Sequence, residues 1–76
     1  MSSIQWRIRR GLLELDYIFH GFYQYRYETL SDIEKKQFID LLEIADPDLL
    51  EWVIYRKPCP IQYREVMIMI HQYIDT

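Results

Sequence analysis

Apolar side chains recur at the three- and four-residue spacing of a helix along almost the whole chain, and that periodicity leaves little choice of fold. Residues 12 to 27 place Leu12, Leu15, Ile18, Phe19, Phe22 and Tyr23 at this spacing, with Glu14, His20 and Gln24 largely on other faces. Phe38, Leu41, Leu42 and Ala45 form the expected buried stripe of a further helix. Leu49, Leu50, Trp52 and Val53 carry another, and Val66, Met67, Ile70 and Ile74 line the last. Ile4 and Ile8, four apart, mark a short helix over residues 4 to 10. The stretch FYQYRYE at 22 to 28 also alternates as a strand would. A lone strand would have no partner in this chain, so the helical reading stands.

Local signals place the boundaries. SDIE at 31 to 34 fits a capping box, with Ser31 capping the helix and Glu34 reaching back. In DPDLLEWV, Asp46 suits the N-cap, Pro47 the first helical position, and Asp48 the positive end of the helix. KPCP at 57 to 60 breaks the chain, because neither proline can continue a helical hydrogen-bond ladder. A last helix is expected from about Ile61 to Ile74. There are no repeats, linkers or low-complexity tracts. The expected fold is all-α: a small five-helix bundle forming a single domain over residues 1–76.

Length and composition narrow the function. A chain of 76 residues makes one domain with a modest core and no room for a catalytic pocket walled by two layers. At 50% hydrophobic residues it is too apolar to be disordered. Cys59 is alone, so no intramolecular bridge can staple the fold, and a reducing compartment suits it. Arg7, Arg9 and Arg10 are followed by no apolar signal region, and the helical pattern starts too early for a mitochondrial transit segment. The longest apolar run, Val66 to Ile70, is far too short for a membrane span. The expectation is a soluble cytoplasmic protein. The net charge is −3, but residues 1 to 11 hold three arginines and no acid. A basic edge on an acidic body can steer an asymmetric partner. It lacks the broad positive face that nucleic-acid binding needs.

Chemistry-bearing residues are sparse. His20, His71 and Cys59 do not fall at metal-ligand spacing, so no metal site is expected. Nothing near Cys59 in sequence supplies a base, so it reads as a small residue at a helix start rather than a nucleophile. The acids between Asp32 and Glu51 read as a solvated helix face. Only Gly11 and Gly21 are glycines, too few for a phosphate-cradling loop. No catalytic residue is assigned, and the chain reads as a non-enzyme. Tyr17, Tyr23, Tyr25 and Tyr27 cannot all be buried in so small a core; interface contact and rim packing both remain open. In RRGLLELD at 9 to 16, Arg7, Arg10 and Glu14 share a helix face. Gly11 beside them is a flat spot bordered by opposite charges. It suits either close approach of a partner or a helix end, and the two are compatible.

Arg10-Gly11-Leu12-Leu13-Glu14, continuing as Leu15-Asp16, matches the pattern RGxxE followed by LD. YETLSDIEKKQFIDLLEIADPDLLEWV follows at 27 to 53. Together these resemble the SdhE/CptB family, the small FAD assembly factors of succinate dehydrogenase. The resemblance spans about Trp6 to Ile74. It implies a five-helix chaperone that promotes covalent attachment of FAD to the flavoprotein subunit of succinate dehydrogenase, and in some bacteria of fumarate reductase. The flavin–histidyl bond would form on the flavoprotein itself. It implies a partner-binding face at Arg10, Gly11 and Glu14, with Arg9, Asp16 and Arg7 in support, and a mainly structural role for Asp46, Pro47, Asp48, Leu49 and Trp52. No nucleotide-binding motif is present, so FAD is expected to be handled transiently and not bound stably. Without a transit segment, a bacterial member is implied. The rival expectation is an antitoxin-type regulatory protein that binds a toxin or cytoskeletal target.

Overall fold

The structure is a computed structural model and describes residues 12–76. These form four α-helices, with no strand among the described residues. Helix α1 spans Leu13–Arg26 and α2 spans Asp32–Leu41. Helix α3, Asp46–Leu49, runs directly into a π-helical turn at Leu50–Ile54. Helix α4 spans Arg64–Ile74. Short 3₁₀ turns at Tyr27–Thr29 and Ile61–Tyr63 follow α1 and precede α4. FYQYRYE is helical and not a strand. The short helix expected over residues 4 to 10 lies outside the described residues.

The helices meet on one core. Leu15, Phe19 and Phe22 face inward from α1, and Phe38 and Leu41 from α2. Leu49 and Val53 enter from α3 and its π turn, and Val66, Met67 and Ile70 from α4. Phe38 is the centre of an aromatic nest. Its ring centroid lies 5.3 Å from Phe22, 5.9 Å from Tyr27, 6.1 Å from Phe19 and 6.5 Å from Tyr23. Such pairs add to simple area burial when offset or edge-on. Tyr23 and Tyr27 are thus half-buried packing residues, whereas Tyr17 and Tyr25 are exposed.

The helix starts are held in three different ways. At α2 the capping box forms as expected: the Glu34 amide donates to Ser31 Oγ at 3.2 Å, and the Ser31 amide donates to Glu34 Oε1 at 2.9 Å. At α3 the cap falls one residue earlier than expected. Ala45 is the N-cap, in extended backbone, and its carbonyl accepts from the amides of Asp48 and Leu49 at 3.2 Å. Asp46 is the first helical residue. Pro47 is tolerated because first-turn amides have no helical acceptor anyway. This also corrects the buried stripe of α2. That helix stops at Leu41, the chain turns, and Ala45 emerges exposed at the next cap. At α4 the cap comes from another helix: the Val66 amide donates to Gln37 Oε1 of α2 at 3.1 Å.

The exit from the π turn is the tightest corner. Tyr55 donates to the Leu50 carbonyl at 3.1 Å, and Lys57 to the Glu51 carbonyl at 2.9 Å. Arg56, between them, has a φ of 57°. This left-handed conformation is a common helix ending but is disfavoured for residues with a side chain. The Arg56 guanidinium holds the Asp75 carboxylate with two nitrogens, one at 3.1 Å. The corner is thereby tied to the end of α4. The same hydrogen bonds hold the Asp75 carboxyl below the usual carboxylate range.

Two outcomes follow for stability. Phe38→Ala removes the centre of the aromatic nest and is expected to cost about 3–5 kcal/mol in denaturant unfolding, against under about 0.5 kcal/mol for exposed Tyr17→Ala. Similar costs for the two would contradict the core assignment. A carboxyl lowered in the folded state stabilises above its unfolded pKa, and that stability is lost as pH falls through the folded value. The melting-temperature gap between the unaltered chain and Asp75→Asn should therefore be present near neutral pH and close in acid. A gap independent of pH would contradict the Arg56–Asp75 tie.

Candidate functional site

Of the residues expected to bind a partner, Glu14 and Asp16 are described, and both lie in the first turn of α1. The helix begins there because Leu12 is extended and its carbonyl accepts the Asp16 amide at 3.0 Å. Acidic side chains suit this end, where unpaired amides leave a partial positive charge. Glu14 is exposed and Asp16 half-buried. Arg7, Arg9, Arg10 and Gly11 lie outside the described residues, so the pairing of Arg10 with Glu14 does too. Glu14 and Asp16 nonetheless share one helix turn, and Asp16 lines a surface groove with Leu13, Tyr17 and Tyr25.

The other chemistry-bearing residues are not gathered into a site. His20 is exposed on α1. His71 sits on α4 with Nε2 3.0 Å from the Trp52 carbonyl. A carbonyl only accepts, so Nε2 carries the proton and donates. The bond ties α4 to the π turn. Among the described residues no group of three His, Cys, Asp or Glu side chains is placed to hold a metal ion. No helix among them is long and apolar enough to cross a membrane. The acids from Asp32 to Glu51 are spread along α2, the turn after it, α3 and the π turn. Trp52 packs on Tyr63 with ring centroids 5.9 Å apart, in keeping with a structural role for the DPDL-to-Trp segment.

Gly21 went unassigned from sequence. In the structure, a side chain at Gly21 would collide with the hydroxyl end of Tyr73, which reaches across from α4. Tyr73 also meets the edge of Phe22 at 6.0 Å and carries the Arg26 guanidinium 5.6 Å over its ring. Gly21 is the close-approach glycine between α1 and α4. The only sequence signal for it is a glycine in mid-helix, which costs about 1 kcal/mol relative to alanine and so asks for a packing reason.

The described residues therefore define a small all-helical protein whose recesses are surface grooves and whose first described helix carries an exposed Glu14 at its start. Comparison with known proteins gives this class its family. A family model described as the flavinator of succinate dehydrogenase matches residues 2–74. The FAD assembly factor SdhE of Haemophilus ducreyi is 42% identical over 58 residues, which is 76% of this chain and 71% of that protein. The protein of the same name from Shewanella oneidensis is 43% identical over 60 residues, 79% of this chain and 73% of its own length. That from Yersinia pestis is 51% identical over 53 residues, 70% of this chain and 60% of its own length. The chain belongs to the succinate dehydrogenase flavinator family.

Cys59 has the character of a packing residue. It lies between two prolines, half-buried against the core, and burial pushes its thiol up from the ordinary range. The thiolate is the reactive form, so burial slows its chemistry. Alkylation by iodoacetamide at mildly alkaline pH is expected to be slower in the folded chain than in the unfolded chain. A rate equal to or above the unfolded one would contradict this placement.

Proposed function

We propose that this chain is an assembly factor that docks on the flavoprotein subunit of succinate dehydrogenase and promotes covalent attachment of FAD to it. The observation that carries this reading is family membership across residues 2–74, joined to the RGxxE sequence that leads into an exposed acidic first turn on α1. Arg10, Gly11 and Glu14 form the contact face in this reading, with Arg7, Arg9 and Asp16 beside them. The flavin–histidine bond forms on the flavoprotein, and the chain contributes no catalytic group. It acts by binding a conformation in which the flavoprotein's histidine and the flavin are in reacting geometry. FAD is met on the partner and not held stably by this chain. The flavoprotein of fumarate reductase is a second client on the same terms, and the setting is the bacterial cytoplasm. The relatives named above are all assembly factors, so the antitoxin reading gains nothing from them.

The test is co-expression of the flavoprotein subunit with the unaltered chain, Glu14→Ala or Gly11→Arg, reading covalent flavin fluorescence on a denaturing gel. Both variants are expected to lower the yield by about tenfold, the equivalent of about 1.4 kcal/mol of lost coupling. Equal yields from all three chains would overturn the assignment of this face.

A further inference from the structure

A groove lies between the corner that follows the π turn and helix α4. Its volume is about 430 Å³, inside the range of about 300–1,000 Å³ typical of small-molecule sites. Pro58, Ile61, Met67 and Ile68 supply its apolar lining. Ile61 is 82% exposed and Ile68 50%, so much of this lining faces water. Arg56, Lys57, Arg64 and His71 supply the polar lining, and among the described residues no acid lines the groove. The frame is stiff, because Pro58 and Pro60 restrict the backbone on either side of Cys59 and Arg56 is anchored to Asp75.

Three of these polar side chains are already engaged. Arg56 holds the Asp75 carboxylate, the Lys57 ammonium lies 3.1 Å from Glu51, and His71 donates to the Trp52 carbonyl. Arg64 differs. Among the described residues it has no carboxylate within ion-pair distance. It is also the first residue of α4, where the partial positive charge of a helix start disfavours a cation and favours an anion. Its charge reaches the groove: burial raises the Cys59 thiol, and Arg64 pulls the same group down. The uncompensated charge of the groove is therefore that of one guanidinium, set beside exposed apolar surface.

We propose that this groove binds a small monocarboxylate with an aliphatic body, its carboxylate on Arg64 and its chain against Ile61 and Ile68. Charge selects the head group. A planar carboxylate meets a guanidinium with two parallel hydrogen bonds and neutralises it. A phosphate ester carries about twice that charge, and the cations that could meet the excess, Arg56 and Lys57, already have carboxylates of their own. The exposed isoleucines select the body, since an aliphatic chain laid on them removes apolar surface of both from water. The proposal does not rest on the assembly-factor reading.

The experiment titrates the full chain with sodium hexanoate and follows the methyl resonances of Ile61, Met67 and Ile68 by NMR. The shifts are expected to saturate with a Kd on the order of a millimolar, as suits so small a ligand. Affinity should rise about twofold or more per methylene from acetate to hexanoate. The neutral isostere hexanamide and the variant Arg64→Gln should each weaken binding at least about fivefold. Ile61→Gln and Ile68→Gln should weaken hexanoate and leave acetate unchanged. All three side chains are exposed, so thermal melts of the variants should match the unaltered chain. Shifts that never saturate, or equal affinity in Arg64→Gln, would overturn the site. Inorganic phosphate binding more tightly than hexanoate would overturn the choice of head group. A peptide carrying glutamate between leucines that binds more than about tenfold tighter than hexanoate would assign the groove to a protein partner and overturn the small ligand.

Discussion

The Phe38 ring is the contact on which the rest of the structure depends. It lies at the middle of α2, within 6.5 Å of four other aromatic rings that all come from α1 and the turn after it. Fixing that nest sets the angle between the first two helices. Helix α4 then closes the core from α1 and α2 together, through Val66, Met67 and Ile70. In a chain this short no second core can compensate for losing the first. Tyr23 and Tyr27 belong to this nest, which leaves Tyr17 and Tyr25 as the exposed tyrosines of α1. The division of the tyrosines is therefore a consequence of where Phe38 sits.

A second group of contacts ties the far half of the molecule together, and each link joins elements distant in sequence. Gln37 caps α4, His71 holds the Trp52 carbonyl, and Asp75 holds Arg56. The π turn makes the middle link necessary. When amide donors shift to longer-range acceptors at Leu50 and Glu51, the Trp52 carbonyl is left to a side chain. These contacts secure the corner at 54 to 57 without glycine.

These features also mark what was legible in the sequence and what was not. The helical period around Leu15, Phe19 and Phe22, the Ser31–Glu34 box and the break at KPCP are local signals, and the structure follows them. The resemblance carried by RGxxELD and the DPDL segment points to the family whose model matches residues 2–74, although the residues at 7 to 11 lie outside those described. Ala45 was misplaced because the 3.6 period was carried one turn past the end of α2. The cap at Asp46 was misplaced because Ala45 fulfils that role through its backbone carbonyl, which no side-chain preference announces. The π turn, the left-handed Arg56, the Gln37 cap and the seat of Tyr73 on Gly21 are tertiary outcomes. Each depends on a partner 19 or more residues away or on a backbone state that local propensity does not encode.

The resulting molecule keeps its chemistry on the outside. The one thiol is pushed toward its inert form, the histidines lie on different helices, and α1 carries acids in its first turn with Tyr17 and Tyr25 exposed along it. The most direct measurement of this account is the yield of covalent flavin on purified apo flavoprotein supplied with FAD, with and without the chain. The account predicts a higher yield with the chain present and recovery of the chain free of flavin. The same yield without it, or flavin covalently bound to the chain itself, would contradict the account.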